Sequence, residues 1–353
     1  MVMIRPKEPI TPGYEWYEID QERMFLGSLN RQTTNPINLQ ERHQLPHRET
    51  LQKIWDDREQ KTIETESGTK IHTTTLNRRA LGGTIFWLPG WGVTNRWNGG
   101  ARVVTTLASL NPDKVIRTAD ELRHVPRDQK IDAMRGNMQP YTDNYMFAID
   151  DRLDDLDTLS GHSRGGVIQT YLGAHRDMPQ ISTINLIDMP RARHYATAAG
   201  FVLRIGILDN IVHGDQKALS IKDEESLLVD AIPEIQLENS GWMTAYDKAQ
   251  RQWWLLQAMA KSGLQETAAH MLQVQQNAEI FWWHGTRNVG TPVKSMRRLV
   301  HDLRADLPSP QQPSIHYFEA PTGHYSEGHT ARYARQTAYA IKNTPKKSIE
   351  NIA

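Results

Sequence analysis

The stretch that most constrains this chain is LSGHSRGG, residues 159–166. A serine between Gly161 and Gly165 marks a sharp strand-to-helix turn, because glycines are needed where a strand and the helix after it pass too closely for side chains. Such a turn requires a strand before it and a helix after it. Both are legible: 157–161 reads as a strand, and GGVIQTYLGAHR, 165–176, supplies the helix. The turn would hold the Ser163 hydroxyl above a sheet, with the helix N-terminus and the Arg164 amide facing the same space.

The flanking pattern predicts the rest of that sheet. KTIETESGTKIHTTTLNRR, 61–79, is rich in Thr and Ile on either side of Ser67-Gly68-Thr69 and reads as a β-hairpin where the sheet begins. GTIFWLPGWG, 83–92, is a buried strand opening into a tight loop at Pro89 and Gly90. A helix near Ala101–Leu110 and a strand at KVIRTAD follow. In YTDNYMFAIDDRLDDL, Tyr145, Met146, Ile149 and Leu153 recur at helical spacing behind Thr142 as N-cap, which predicts a helix. ISTINLID (181–188), AEIFWWHG (278–285) and SIHYFEAP (314–321) are three more strands, the last two joined by a helix over Pro292–Leu307. Alternating β and α segments predict a parallel sheet.

Between Pro190 and Asn277 the alternation stops and helical patterns such as TAYDKAQRQWWLLQAMA take over, ending at Lys261-Ser262-Gly263. The expected organisation is an N-terminal extension over 1–60, an α/β core over 61–190 and 278–353, and a helical cap over 191–277 inserted after the sixth strand.

Composition narrows the function classes. The chain has no cysteine, so disulfides, Cys-ligated metal and a Cys nucleophile are excluded; this fits a reducing compartment and makes a cytoplasmic location the expectation. Forty-one Lys plus Arg balance 41 Asp plus Glu, so no net field draws the chain to nucleic acid or an anionic membrane, and a small-molecule partner is expected. The N-terminus carries Arg5, Lys7 and Glu8 and no secretory apolar run, so no signal peptide is expected. The longest apolar stretch, around Phe201–Val212, is interrupted by Arg204, Gly206, Asp209 and Asn210, far short of the ~20 residues of a membrane span.

LPGWG, LSGHSRGG, IDMP and APTGHY, in this order, resemble the α/β-hydrolase family: the loop after the third strand, the nucleophile elbow, the end of the sixth strand and the histidine loop after the last. The resemblance spans roughly residues 61–342 and implies a mostly parallel central sheet flanked by helices. By position it implies Ser163 as nucleophile, His324 as base, and the backbone amides of Trp91 and Arg164 as oxyanion donors. His284 and His329 are rivals of His324, but only Gly323-His324 has the family's setting after the last strand. No metal or cofactor is implied.

The acid departs from the pattern. Where the family usually has Asp in a G-x-x-D turn after the seventh strand, this chain reads Gly285-Thr286-Arg287-Asn288. An amide orients an imidazole but does not stabilise an imidazolium as a carboxylate does. Asp188, at the end of the sixth strand, is the chosen acid; Asn288 and Glu319 are alternatives. Serine at the elbow disfavours the dehalogenase and epoxide hydrolase chemistry of this family, which uses a carboxylate nucleophile. A serine esterase is the leading expectation, with an acyltransferase or a catalytically silent binding protein as alternatives. Adjacent Trp253 and Trp254 in the cap point in different directions on a helix, so one is a candidate pocket wall for an apolar acyl or aromatic group.

Overall fold

The computed structural model of the chain describes residues 15–20, 23–28, 48–90, 98–190, 253–261, 263–285, 288, 291–305, 315–320 and 330–345. Its strands are β1 (Glu15–Asp20), β2 (Arg23–Ser28), β3 (Glu59–Glu64), β4 (Lys70–Leu76), β5 (Thr84–Leu88), β6 (Val115–Ala119), β7 (Leu156–His162), β8 (Thr183–Ile187), β9 (Glu279–Gly285) and β10 (Ile315–Ala320). They form one sheet in the order β2-β1-β10-β9-β8-β7-β5-β6-β4-β3. From β6 to β10 neighbouring strands run parallel, whereas β3 and β4 pair antiparallel at one side.

The centre of the sheet is apolar on both sides of the pleat. In β5, Phe86 and Leu88 enter one core while Ile85 and Trp87 enter the other, and β9 divides Ile280 and Trp282 from Phe281 and Trp283 in the same way. A strand buried on both faces needs helices on both faces. On the first side lie α3 (Arg127–Met134), α4 (Gln139–Asp143), α5 (Arg164–His175), α6 (Trp253–Lys261), α7 (Leu264–Val274) and α8 (Val293–Ala305); on the second lie α1 (Arg48–Asp56), α2 (Asn98–Leu110) and α9 (Thr330–Asn343). The mostly parallel sheet flanked by helices is therefore as expected. No described helix is long and apolar enough to cross a membrane.

Three features differ from the sequence reading or extend it. The sheet does not begin at the 61–79 hairpin: β1 and β2, from the segment expected to be an extension, form an antiparallel pair, and β1 pairs with β10 through Glu18↔Phe318 and Ile19↔Tyr317. The helix expected over 141–156 is instead the short α4 followed by two 3-10 stretches, Asn144–Ala148 and Asp150–Asp155. Arg117 explains the break: its Nε donates to the Ala148 carbonyl at 2.9 Å, and the Arg152 N–H, which an α-helix would send there, bonds Ile149 O instead. Thr142, expected as a cap, lies within α4 and donates to Gln139 O.

Residues 191–252, the bulk of the expected cap, lie outside the described residues. The helices that follow, α6 and α7, pack on the body of the molecule, α6 against α3 and α7 against α5. Their Leu255, Leu256, Met259, Leu264 and Met271 join the same core as the first face of the sheet.

Candidate active site

The turn between β7 and α5 is where the sequence feature becomes geometry. Ser163 adopts φ 51° and ψ −115°, a conformation that costs a non-glycine residue about 1–3 kcal/mol and persists only where its surroundings enforce it. The Ser163 N–H donates to Ile187 O at 2.8 Å, and its carbonyl accepts the Val167 N–H at 3.2 Å, starting the helix. The glycines are required by space: a Cβ on Gly161 would fall into the backbone of Gly165, and one on Gly165 into the Leu88 carbonyl. Ser163 thus stands at the C-terminal end of the central strands, its own amide tied to the strand beside it.

That neighbouring strand ends in Asp188, the second residue of this rim with a positive φ, 47°. Asp188 is fully buried, its N–H donates to Trp283 O at 2.8 Å, and its Oδ1 accepts the Gly285 N–H at 2.6 Å. The carboxylate is therefore held between the ends of β8 and β9.

The other acid candidates have partners of their own. Asn288 sits in the turn after β9, its N–H bonded to Gly285 O and its Oδ1 accepting the Thr291 N–H at 2.9 Å, so its carboxamide oxygen shapes the connection to α8. Glu319 is fully buried, and Arg297 occupies both its oxygens at 2.7 Å. Burial raises the Glu319 carboxyl above its ordinary range, while Arg297 pulls in the opposite direction.

His284, one of the rival bases, is also accounted for. Its Nε2 donates to Thr291 O at 2.9 Å, which leaves Nδ1 as the lone-pair nitrogen, 4.0 Å from Asp188 Oδ1. Burial lowers its pKa to about 4, although the bond to Thr291 favours the charged ring; a smaller push downward comes from Arg297. His284 is therefore neutral above that value, and its contact with Asp188 is not an ion pair.

Trp91, His324 and His329 lie outside the described residues. Trp253 is 43% exposed. Trp254 packs edge-on against Tyr141 at 5.3 Å, with the Lys130 ammonium 5.9 Å from its ring centre.

The side chains of the elbow itself escaped the sequence reading. His162 stacks on Tyr333 of α9 with ring centres 4.4 Å apart and accepts or donates a 3.1 Å bond to its hydroxyl. Arg164 is fully buried, and its Nη1 and Nη2 donate to Tyr145 OH and Pro89 O, each at 3.4 Å, with Glu121 Oε1 3.7 Å away. Burial works against its charge, but Tyr145, Glu121, Tyr141 and Asp120 more than offset this and hold the guanidinium above its ordinary pKa. Only the unusual presence of a charge in an apolar turn could have signalled this network. Among the described residues, no three His, Asp or Glu side chains converge as metal ligands would.

No protein-family model and no curated protein matches the sequence. Solved structures do. A serine hydrolase from the polyaromatic-hydrocarbon-degrading bacterium Cycloclasticus zankles superposes with a TM-score of 0.50 at 12% identity, over 82% of this chain and 100% of the other. An epoxide hydrolase from Vigna radiata gives 0.50 at 15% identity, over 82% and 99%. The chain has the α/β-hydrolase fold. Within the α/β-hydrolase fold, Ser163 occupies the elbow after the fifth of the eight strands counted from β3, and Asp188 ends the sixth. The same fold carries different chemistries, so function has to be argued from the site.

Proposed function

We propose that this chain is a serine hydrolase that cleaves a carboxylic ester, or a related acyl compound, through an acyl-enzyme on Ser163. The single observation that carries the reading is the enforced conformation of Ser163 at the elbow, φ 51° at the head of α5. A serine hydroxyl held there is a nucleophile in waiting rather than a turn residue chosen for size. A carboxylate nucleophile, such as direct attack on an epoxide carbon would use, is absent from this position.

In the proposed reaction Ser163 Oγ attacks the acyl carbon while His324 takes its proton. The Arg164 and Trp91 amides hold the oxygen that becomes negative. The bond to the leaving alcohol then breaks, and His324 returns its proton to that oxygen. Water repeats the sequence on the acyl-enzyme and releases the acid. Asp188 is the proposed acid that orients His324. Its strained backbone, its burial and its place on the strand next to Ser163 support that role over Asn288, whose oxygen serves its own turn. The proposed substrate is a small molecule with an apolar acyl or aromatic portion.

The test is labelling of the intact protein with a fluorophosphonate, followed by mapping of the modified residue. The expected outcome is one adduct on Ser163 and hydrolysis of simple aryl esters. A folded protein that neither labels nor hydrolyses would instead be a binding protein built on this fold, and an ester product in the presence of an added alcohol would indicate acyl transfer.

A further inference from the structure

Gly161 and Gly165 let β7 and α5 cross, but the space over the next glycine, Gly166, is taken by a different neighbour. A Cβ on Gly166 would lie 2.5 Å from Met189 Cγ and 2.9 Å from its Sδ, nearer than the 3.3 Å to Gly161 O. Met189 is fully buried and directly follows Asp188. One turn further along α5, the Thr170 hydroxyl, which donates to Gly166 O at 2.9 Å, also faces Met189 Sδ at 3.4 Å.

Asp188 is thereby gripped by the elbow on both of its flanks. The residue before it, Ile187, offers its carbonyl to the Ser163 N–H at 2.8 Å, and the residue after it is seated on Gly166. From the other direction β9 holds Asp188 itself, through Trp283 O and the Gly285 N–H. A φ of 47° is one that an aspartate leaves unless its surroundings enforce it. Pro190 adds to the enforcement, because a residue before proline is steered to extended backbone, which limits the directions Met189 can take.

We propose that Met189 is a positioning residue: seated over Gly166 and Thr170 of α5, it holds the strained Asp188 turn and so fixes the carboxylate relative to Ser163 at the head of the same helix. The inference rests on the reading of Ser163 as nucleophile and Asp188 as acid. A misplacement of about 1 Å in such a constellation can lower the rate about 100-fold. Methionine suits the slot because its unbranched, polarisable chain fills an irregular gap, and leucine, of similar volume, would keep it filled. Met189 has no exposed surface, so its influence on the reaction passes through Asp188.

The experiment uses the intact protein in wild type, Met189→Leu, Met189→Ala, Gly166→Ala and the pair Gly166→Ala with Met189→Ala, each with and without Asp188→Asn. Amide exchange at Gly285, read by NMR, reports on the carboxylate that accepts its N–H and needs no activity. It should quicken in Met189→Ala and Gly166→Ala and match wild type in Met189→Leu. With an aryl acetate, kcat should fall roughly 10- to 100-fold in Met189→Ala and in Gly166→Ala, with KM little changed, and Met189→Leu should stay within a few-fold of wild type. The pair should fall no further than Met189→Ala alone, because Gly166→Ala acts by displacing that side chain. Beside Asp188→Asn the same substitutions should change kcat little, since the charge whose place they alter is gone. Unchanged Gly285 exchange in Met189→Ala and Gly166→Ala overturns the proposal, as does a kcat loss that persists undiminished beside Asp188→Asn or a loss confined to KM. If one of these two variants does not fold, the other decides, and Met189→Val, a smaller truncation, stands in if neither folds. Should Asp188→Asn leave kcat intact, or wild type fail to label with fluorophosphonate, the acid or the esterase reading falls, while Gly285 exchange still judges the hold of Met189 on Asp188.

Discussion

Ser163 and Asp188 carry φ values of 51° and 47° at the ends of adjacent strands, so two neighbouring residues of one rim hold conformations that side chains avoid. Each costs about 1–3 kcal/mol that the packed sheet must supply. The Ser163→Ala variant should fold with an unchanged melting temperature, lose fluorophosphonate labelling and lose ester turnover. Asp188→Asn should lower kcat by roughly 10⁴, the loss known for removing the carboxylate of a serine triad, whereas Asn288→Ala should leave kcat within an order of magnitude. The reverse pattern in a steady-state assay would move the acid to Asn288. His284 gives a prediction in pH. Its folded pKa, about 4, lies below the ordinary 6.5, so the unfolded chain binds a proton first as pH falls. Stability from this residue is full above pH 6.5 and declines through the window down to about 4, by roughly 3 kcal/mol in all. Urea unfolding at pH 7.5 and pH 5 should show a smaller acid loss in His284→Gln, whose amide can still donate to Thr291 O.

At the scale of elements, the legible parts were those whose signal is local. The elbow announces itself because Gly161 and Gly165 are needed wherever strand and helix cross so closely, and the strands 84–88, 115–119 and 183–187 because they are buried on both faces. The 3-10 segments after α4 were illegible because the cause is Arg117, a residue 31 positions earlier that takes the Ala148 carbonyl. Asn288 was found by spacing, but its tie to Thr291 belongs to the turn between β9 and α8 and leaves no mark in the motif. The contacts of His162 and Arg164 were likewise hidden, since they join segments distant in sequence. The link between α8 and β10 is the Arg297–Glu319 pair, with Glu319 fully enclosed and Arg297 partly open. Arg297→Met strands that carboxylate and should cost about 3 kcal/mol, at the low end for breaking a buried pair because one partner is near solvent. Adding Glu319→Gln should recover much of the loss in denaturant melts.

For the whole molecule, the order of the sheet decides what is left open at its two sides. β3, EQKTIE, forms one margin and is mostly exposed and charged along its length, which discourages another strand from joining it. The other side would end at β10, IHYFEA, whose unpaired N–H and C=O groups would form a sticky margin beside the site. β1 and β2 take that place. Their pairing covers the β10 margin and leaves β2 as the last strand on that side. A chain lacking residues 1–28 should keep its Ser163 elbow yet show concentration-dependent growth in light scattering, and a synthetic EWYEID-containing peptide should suppress that growth. If the shortened chain stays monomeric at high concentration, the hairpin is dispensable to solubility and the β10 margin is shielded in another way.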